Sequence, residues 1–387
     1  AGGGPRAVGL AAEANQGPGP CILKLYEDTG LEDVKLNDVI EVVGVFSRSL
    51  SLSEGPGLGT EEEQEAHNPP ESQVPRLHVI CGRKVSPWDA FLGRPELSWD
   101  ALRPQAEALR QGMLQVLAES LGGDELAAHY LLLQMVSRVH ARHDPIVLGR
   151  HVLNLSKMTP GAAAAVAKLF EGLFPHSRHL GLTLQALNTA RMAPAKDYSV
   201  NRLLPGQLQM AAGTPVLLDE TVLEAGKLGE RGVKNVAALK KAMTEQKYDL
   251  DFQYYQVAME CDLGFTVAST GRSFLPCDTQ LPLHATREVS AAPLERMSAP
   301  DLALLRAWLG HARRAQHSIS EQVSKQIQQD LIQRRQRTPS LGDVDFNRWL
   351  TLARFLSVVN GEAELSWGTW EAMHSMEQRR EERLRVA

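Results

Sequence analysis

The sequence predicts an α/β protein with a central sheet of several parallel strands, a small β-rich region before it and a helical region after it. Three features support this fold class. Between residues 146 and 268, short apolar runs alternate with segments of helical periodicity, the order typical of a parallel sheet with crossover helices. Residues 21–97 hold runs rich in β-branched side chains. From residue 299 onward, apolar residues recur at helical spacing.

The composition of the first 97 residues separates two segments expected to be disordered from three predicted strands. Residues 1–20 are mainly Gly, Ala and Pro, and we expect a disordered lead-in because few large apolar side chains are present to offset the entropy of ordering. Residues 51–75 are rich in Gly, Pro and Glu, which predicts a disordered, solvated loop. The strands predicted around this loop are 22–26, 38–46 and 76–81. Three strands are too few to close a small barrel, so we expect residues 21–97 to be a partial barrel that begins upstream of Ala1.

The rest of the chain is predicted to form two further domains, at 98–298 and 299–387. The first opens with two helices separated by Gly122-Gly123. Its alternating part has predicted strands at 152–155, 180–184, 216–218 and 264–268, predicted helices at 162–174 and 235–246, and a predicted hairpin at 248–260. The C-terminal domain has predicted helices at 299–312, 320–337, 341–359 and 366–385.

Composition narrows the classes of function. The 387 residues carry a formal net charge of −5. Proteins held to nucleic acid by phosphate contacts are typically strongly basic, so we expect protein partners instead. The four cysteines are far apart and without a CxxC pair, and they predict reduced intracellular thiols and no bound metal. They are Cys21, Cys81, Cys261 and Cys277. An apolar run of about 18 residues is absent, so no membrane association is expected. The start, Ala1-Gly-Gly-Gly-Pro, lacks an initiator Met, and we expect a fragment of a longer chain.

The sharpest local signal is the run from Pro215 to Glu220, an apolar strand that ends in the acids Asp219 and Glu220. ATPases hold magnesium and orient water with acids placed in this way. Apolar strands also end in acids that merely face solvent or cap the next helix, and the pattern alone leaves that interpretation open.

An ATPase of this type also needs a glycine-rich loop, G-x-x-x-x-G-K-[ST], whose backbone N–H groups hold phosphates. The sequence has no match. After the strand at 152–155 it reads Ser156-Lys157-Met-Thr-Pro160-Gly161. Lys157 precedes the helix, Pro160 removes an N–H donor, and a single glycine remains. The sequence therefore predicts a phosphate loop lost around Ser156, Lys157 and Gly161, with no bound cofactor and no catalysis.

Other constellations are weaker. Arg272, in a Gly-Arg-Ser turn after a buried strand, could face a neighbouring subunit's phosphate or simply form the turn. His140 and His143 beside Asp144 have a spacing that a metal could use, but without a third ligand we interpret them as cations at a helix C-terminus. Three arginine pairs are interpreted as solvated helix faces, with nuclear import or DNA contact left open. These are 313–314, 334–335 and 379–380.

Several longer strings carry a resemblance to a known family. They are CILKLYED at 21–28, LNDVIEVVG at 36–44, KDYSVNRL at 196–203, LLDETVLE at 217–224 and STGRSFLP at 269–276. Together with residues 126–133 and 344–356, they resemble the MCM-binding protein family, and the resemblance runs from about residue 20 to the end of the chain.

The resemblance implies a fold related to the mini-chromosome maintenance (MCM) helicase subunits: an oligonucleotide-binding-type barrel, a degenerate AAA+ domain and C-terminal helices. Residues 152–165 then stand where the phosphate loop belongs and 267–270 where the sensor strand belongs, and Asp219 and Glu220 are the remnant of a magnesium site. The implied function is that of a nuclear, non-catalytic protein that binds MCM helicase subunits in place of one of the six. It regulates assembly, stability and chromatin unloading of the helicase and supports sister-chromatid cohesion. Chromatin association is expected to be indirect, and no small-molecule substrate is expected.

Two alternatives remain at this point. An AAA+ ATPase with an atypical phosphate loop would hydrolyse ATP as a purified protein. A single-strand nucleic-acid binder would use the barrel, but only Tyr26 and Phe46 are available as strand aromatics for base stacking.

Overall fold

The computed structural model describes residues 21–47, 74–93, 95–144, 146–199, 201–289, 293–339 and 341–386. The expected lead-in at 1–20 and most of the expected loop at 51–75 lie outside these ranges. The chain divides into two compact units. The first contains the described residues up to Ser86 together with Lys196–Leu204, and the second contains Pro87–Ala195 and the chain from Pro205 onward.

The predicted strands and helices are present in the predicted order, together with short elements that were not predicted. The strands are β1 (Ile22–Lys24), β2 (Ile40–Ser47), β3 (Arg76–Lys84), β4 (Ala141–His143), β5 (Ile146–Leu148), β6 (Val152–Ser156), β7 (Arg178–Gly181), β8 (Ala195–Asp197), β9 (Arg202–Leu204), β10 (Thr214–Asp219), β11 (Lys247–Asp251), β12 (Gln256–Glu260), β13 (Leu263–Ala268) and β14 (Thr279–Pro282). The α-helices are α1 (Asp89–Leu92), α2 (Trp99–Leu102), α3 (Ala106–Ser120), α4 (Glu125–Val136), α5 (Pro160–Leu173), α6 (Leu184–Thr189), α7 (Glu230–Glu245), α8 (Ala299–Arg314), α9 (Glu321–Arg337), α10 (Asp343–Val359) and α11 (Trp367–Val386). The short elements that were not predicted are β4, β5, β8, β9, β14, α1, α2 and α6.

The second unit is built on a five-stranded sheet with the order β14-β6-β13-β10-β7. Each neighbouring pair is parallel, which confirms the predicted α/β class with a parallel sheet. Every residue of β6 and β10 is buried, as expected for central strands of a sheet covered on both faces. The predicted hairpin is also present, since β11 and β12 pair antiparallel.

Two apolar cores lie on opposite faces of this sheet because successive side chains of a strand point to opposite sides. Leu153 and Leu217 join the larger core, which contains residues of α3, α4, α5, α8, α10 and α11. Val152 and Val216 join the smaller core, which contains residues of α7. Burying one such aliphatic side chain contributes about 1.5–3 kcal/mol, so this alternation fixes the register of the strands against both helical layers.

The C-terminal helices α8–α11 begin and end within two residues of their predicted positions. Ser298 and Ser320 cap α8 and α9 by accepting backbone N–H groups with their side chains, which explains why those helices start there. In α11, the buried side chain of Glu377 accepts a hydrogen bond from Tyr130 of α4 at 2.5 Å. This contact helps to hold the last helix against α4.

The first unit contains a three-stranded sheet with the order β1-β3-β2. β1 pairs parallel to β3, and β2 pairs antiparallel to β3 with a shift of register between Val43 and Gly44. A Cβ at Gly44 would lie 2.3 Å from the carbonyl oxygen of His78, so the bulge requires glycine. The expected partial barrel remains a prediction.

Candidate functional site

A ligand crevice is expected at one position on the carboxyl edge of the parallel sheet. β6 and β13 are neighbours, but the chain leaves them in opposite directions: β6 leads to the edge strand β7, and β13 leads to the opposite edge strand β14. Open α/β sheets bind ligands where connections diverge in this way, beyond the carboxyl ends of the strands. The residues that follow β6 and β13 therefore decide whether this sheet can hold a nucleotide.

The turn after β6 fills this position. Ser156, the last residue of β6, is buried, and Lys157 has a φ of +58°, which turns the chain sharply. The side chain of Met158 is 2% exposed, and its backbone N–H donates to the carbonyl oxygen of Ser269, after β13, at 2.9 Å. This hydrogen bond joins the loops after β6 and β13 and occupies the N–H of Met158.

The first turn of α5 offers few donors to an anion. Thr159 caps the helix: its Oγ1 accepts the N–H of Ala162 at 3.2 Å, and its carbonyl oxygen accepts the N–H of Ala163 at 3.0 Å. Pro160 has no N–H. The side chain of Thr159 and the missing N–H of Pro160 thus reduce the number of donors that this turn could offer to an anion. A Cβ at Gly161 would contact only Thr159, at 3.9 Å, so nothing in the structure requires glycine there.

Asp219 ends β10 and is 4% exposed. Its Oδ1 accepts the hydroxyl of Thr221 at 2.6 Å and the Thr221 N–H at 2.9 Å, and its Oδ2 lies 3.3 Å from Nε2 of His179 on β7. Burial opposes ionisation of this carboxyl, but the hydrogen bonds from His179 and Thr221 outweigh it and lower its pKa. Both oxygens of the Asp219 carboxylate therefore already have polar partners within the protein.

Glu220 is also engaged. It is 7% exposed, and its Oε1 accepts the hydroxyl of Ser273 at 2.6 Å. Its backbone N–H donates to the carbonyl oxygen of Ala268 on β13. Burial raises the pKa of the Glu220 carboxyl, and the hydrogen bonds from Ser273 and from the backbone of Phe274 and Leu275 offset this only in part. Its assignment with Asp219 as a magnesium-site remnant stays a prediction.

The remaining candidates do not converge on this edge. In the ranges that the structure describes, no three His, Cys, Asp or Glu side chains come together as a metal site. The interpretation of His140 and His143 as cations at a helix C-terminus is wrong, because α4 ends at Val136 and His143 ends the strand β4. Arg272 is exposed in the loop after β13. No described helix is long and apolar enough to cross a bilayer.

Four partners at this edge were not predicted: Met158, His179, Ser269 and Ser273. Met158, Ser269 and Ser273 lie in stretches that the sequence singled out, whereas His179 does not. Their contacts satisfy the two acids and close the crevice. The residues at this edge therefore bind one another: Met158 is bonded to Ser269, and both acids already have hydrogen-bond partners.

Comparison with known proteins identifies the family. The family model described as mini-chromosome maintenance replisome factor matches residues 10–384. The mini-chromosome maintenance complex-binding protein of Arabidopsis thaliana is 35% identical over 392 residues, covering 98% of this chain and 66% of that protein. The protein of the same name from Danio rerio is 34% identical over 384 residues, covering 92% of this chain and 60% of the relative.

The protein of that name from Homo sapiens is 32% identical over 395 residues, covering 94% of this chain and 61% of the human protein. The chain therefore spans about three fifths to two thirds of the length of these curated relatives. The matches confirm the resemblance found in the sequence: the chain belongs to the mini-chromosome maintenance replisome factor family, whose curated members are named MCM complex-binding proteins.

Proposed function

We propose that this chain is a non-catalytic, nuclear binding protein of the MCM complex that regulates assembly, stability and chromatin unloading of the helicase and supports sister-chromatid cohesion. Family membership and the names of the relatives support the MCM complex as the partner. The regulatory roles and the nuclear location follow from the family resemblance of the sequence.

The observation that carries the non-catalytic part is the closed crevice between β6 and β13. Nucleotide hydrolysis needs backbone donors for the phosphates, a metal held by free acids and a positioned water. Here Met158 fills the space at the end of β6, and Asp219 and Glu220 already accept hydrogen bonds from Thr221 and Ser273. We therefore expect this protein to act by binding other proteins through its surface, without catalysis.

The sheet also supports a degenerate AAA+ domain. β13, where the sensor strand is expected, lies between β6, which leads to the lost phosphate loop, and β10, which ends in the two acids. In an AAA+ ring, a nucleotide held by one subunit and contacted by the next completes each interface. A relative that does not bind nucleotide can dock against a helicase subunit without completing an active ring. It would then bind the subunit reversibly and prevent the ring from closing.

The hairpin β11–β12 is the best candidate for the helicase contact in the second unit. At its tip, Tyr254 is 85% exposed and Tyr255 is 58% exposed. Tyrosine is enriched at the energetic centres of protein interfaces, because a large rigid ring buries much area at a low entropic cost. Val257 of β12 extends the same exposed apolar segment.

The test is co-purification of MCM subunits from nuclear extract with variants of the full chain. Replacing Tyr254 and Tyr255 with serine should reduce recovery of the subunits by about tenfold or more, because loss of an interfacial aromatic costs about 2 kcal/mol or more. The comparison variant is Asp219→Ala, which should leave recovery unchanged as long as the variant stays folded. Loss of recovery by a folded Asp219→Ala variant, or ATP hydrolysis by the purified protein, would reject the non-catalytic role.

A further inference from the structure

A basic cavity of about 500 Å³ lies in the second unit, where the chain after α4, the end of α8 and the middle of α10 meet. Its charged or titratable lining includes Arg138, His140, Arg313, His317 and Arg354. Arg314 also lines it but forms an ion pair with Asp89 at 2.8 Å. No Asp or Glu lines the cavity among the described residues.

Two guanidinium groups of the basic cavity lack a carboxylate partner in the described part of the chain. Arg138 donates to the carbonyl oxygen of Arg313 at 3.3 Å, and Arg354 donates to the carbonyl oxygen of His317 at 3.2 Å. A guanidinium has five N–H donors, so most of the donors on each group remain available. Arg138 and Arg354 also repel each other, and this repulsion together with burial lowers the pKa of Arg354.

The nearest acids are committed to other contacts. Glu362 accepts the hydroxyl of Thr369 at 2.7 Å and that of Ser357 at 2.7 Å. Asp262 accepts the backbone N–H of Val139 at 2.9 Å. These bonds hold the two carboxylates outside the lining of the cavity, so the charged side chains that line it are all basic.

His317 supplies the second, independent observation. Both of its ring nitrogens are buried, and neither has a hydrogen-bond partner in the described residues. A buried polar atom without a partner is rare in folded proteins, and such atoms commonly face a ligand or water. Burial first, and then the charge of Arg354, lower the pKa of His317 to about 4. An anion in the cavity would relieve the repulsion between the cations, and a small shift of the His317 ring toward the anion would give the ring its missing partner.

We propose that the basic cavity binds a phosphate group through Arg138, Arg354 and His317. Arginine forks match the oxygens of a phosphate dianion and form charge-assisted hydrogen bonds with them. Orthophosphate alone is much smaller than the cavity, so there is room for a phosphate carried on a larger molecule, such as a phosphorylated side chain. This site is separate from the closed crevice and does not depend on the proposed function.

The test is titration of the full chain with phosphoserine and, separately, with inorganic phosphate. Binding is measured by calorimetry and by the NMR signals of the His317 ring. We expect saturable binding that shifts the His317 resonances, and no shift with serine. Tighter binding of phosphoserine identifies a phosphorylated side chain as the source, whereas equal binding identifies free phosphate, and either outcome supports the site. Absence of saturable binding of both compounds overturns it.

The double variant Arg138→Gln with Arg354→Gln should raise Kd by about tenfold or more, because each charge-assisted bond is worth more than a neutral one. The matched control Arg272→Gln removes an exposed arginine that does not line the cavity and should leave Kd unchanged. Unchanged binding by the double variant would place the anion elsewhere and reject the proposal. Should the double variant fail to fold, the His317 shift in the unaltered protein still decides the question.

Discussion

The backbone N–H of Met158 donates to the carbonyl oxygen of Ser269 at 2.9 Å, across the position where the connections of the parallel sheet diverge. The N–H of Ser269 in turn donates to Leu155 of β6, and its hydroxyl donates to the side chain of Asn154 at 2.9 Å. The loops after β6 and β13 are therefore hydrogen-bonded to each other and to β6 at the position where other open α/β sheets bind ligands. These contacts contribute to the stability of the sheet.

Met158→Ala tests the structural role of this turn. Because Met158 is 2% exposed and packs in the larger core, removing its side chain should cost about 2–5 kcal/mol of unfolding free energy. The measurement is urea denaturation of the variant and the unaltered protein. A cost below about 1 kcal/mol would show that the Met158 side chain does not fill the crevice.

Lys157→Gly is the matched control in the same turn. Lys157 adopts a φ of +58°, where glycine avoids a strain of about 1–2 kcal/mol, while the greater flexibility of unfolded glycine offsets about 0.5–1 kcal/mol. We therefore expect the unfolding free energy to rise by about 0–1.5 kcal/mol. A large loss would mean that the lysine side chain makes a contact important for folding.

Asp219→Asn should reveal a pH-dependent contribution to stability. The hydrogen bonds from His179 and Thr221 hold the folded-state pKa of Asp219 below its unfolded value of about 3.9. A depressed carboxyl pKa contributes stability above the unfolded pKa, and this contribution is lost as pH falls through the folded pKa. The difference in unfolding free energy between the two proteins should therefore shrink between about pH 5 and pH 3. A difference that stays constant or grows toward low pH would contradict this assignment.

Much of the fold could be predicted because the signals are local. The strand β6 is a short apolar run, the helices α8–α11 lie in long segments without internal Pro breaks, and Ser298 and Ser320 mark helix starts. The predicted loss of a phosphate loop also rests on local signals, Pro160 and the missing second glycine. This loss remains a prediction, and so does the assignment of degenerate motifs to strands that the family resemblance implies.

The partners of the site residues could not be predicted because they are distant in the chain. His179 reaches Asp219 only when β7 and β10 are neighbours, and Ser273 reaches Glu220 from the loop after β13. The basic cavity was missed for the same reason, since Arg138 and Arg354 belong to separate segments. Short elements such as β14 also lacked a signal, because four residues do not establish a periodicity.

Glu377 of α11 gives the last prediction. Its carboxylate accepts hydrogen bonds from Tyr130 at 2.5 Å and from Nε of Arg380 at 2.9 Å, and it lies 3.1 Å from a guanidinium nitrogen of Arg348. Burial opposes its ionisation, but the charges and hydrogen bonds of the two arginines outweigh this and lower its pKa. Glu377→Gln leaves Arg380, which is 5% exposed, without its counter-charge.

Breaking a buried ion pair by removing one partner costs about 3–5 kcal/mol, so Glu377→Gln should lower the unfolding free energy by that amount. The control is Glu371→Gln on the same helix, which replaces an exposed carboxylate and should change the unfolding free energy by no more than about 0.5 kcal/mol. Urea denaturation of both variants measures the difference. Equal stability of the two variants would show that α11 is held by its apolar residues, Trp370 and Met373 among them, and that the buried charges contribute little.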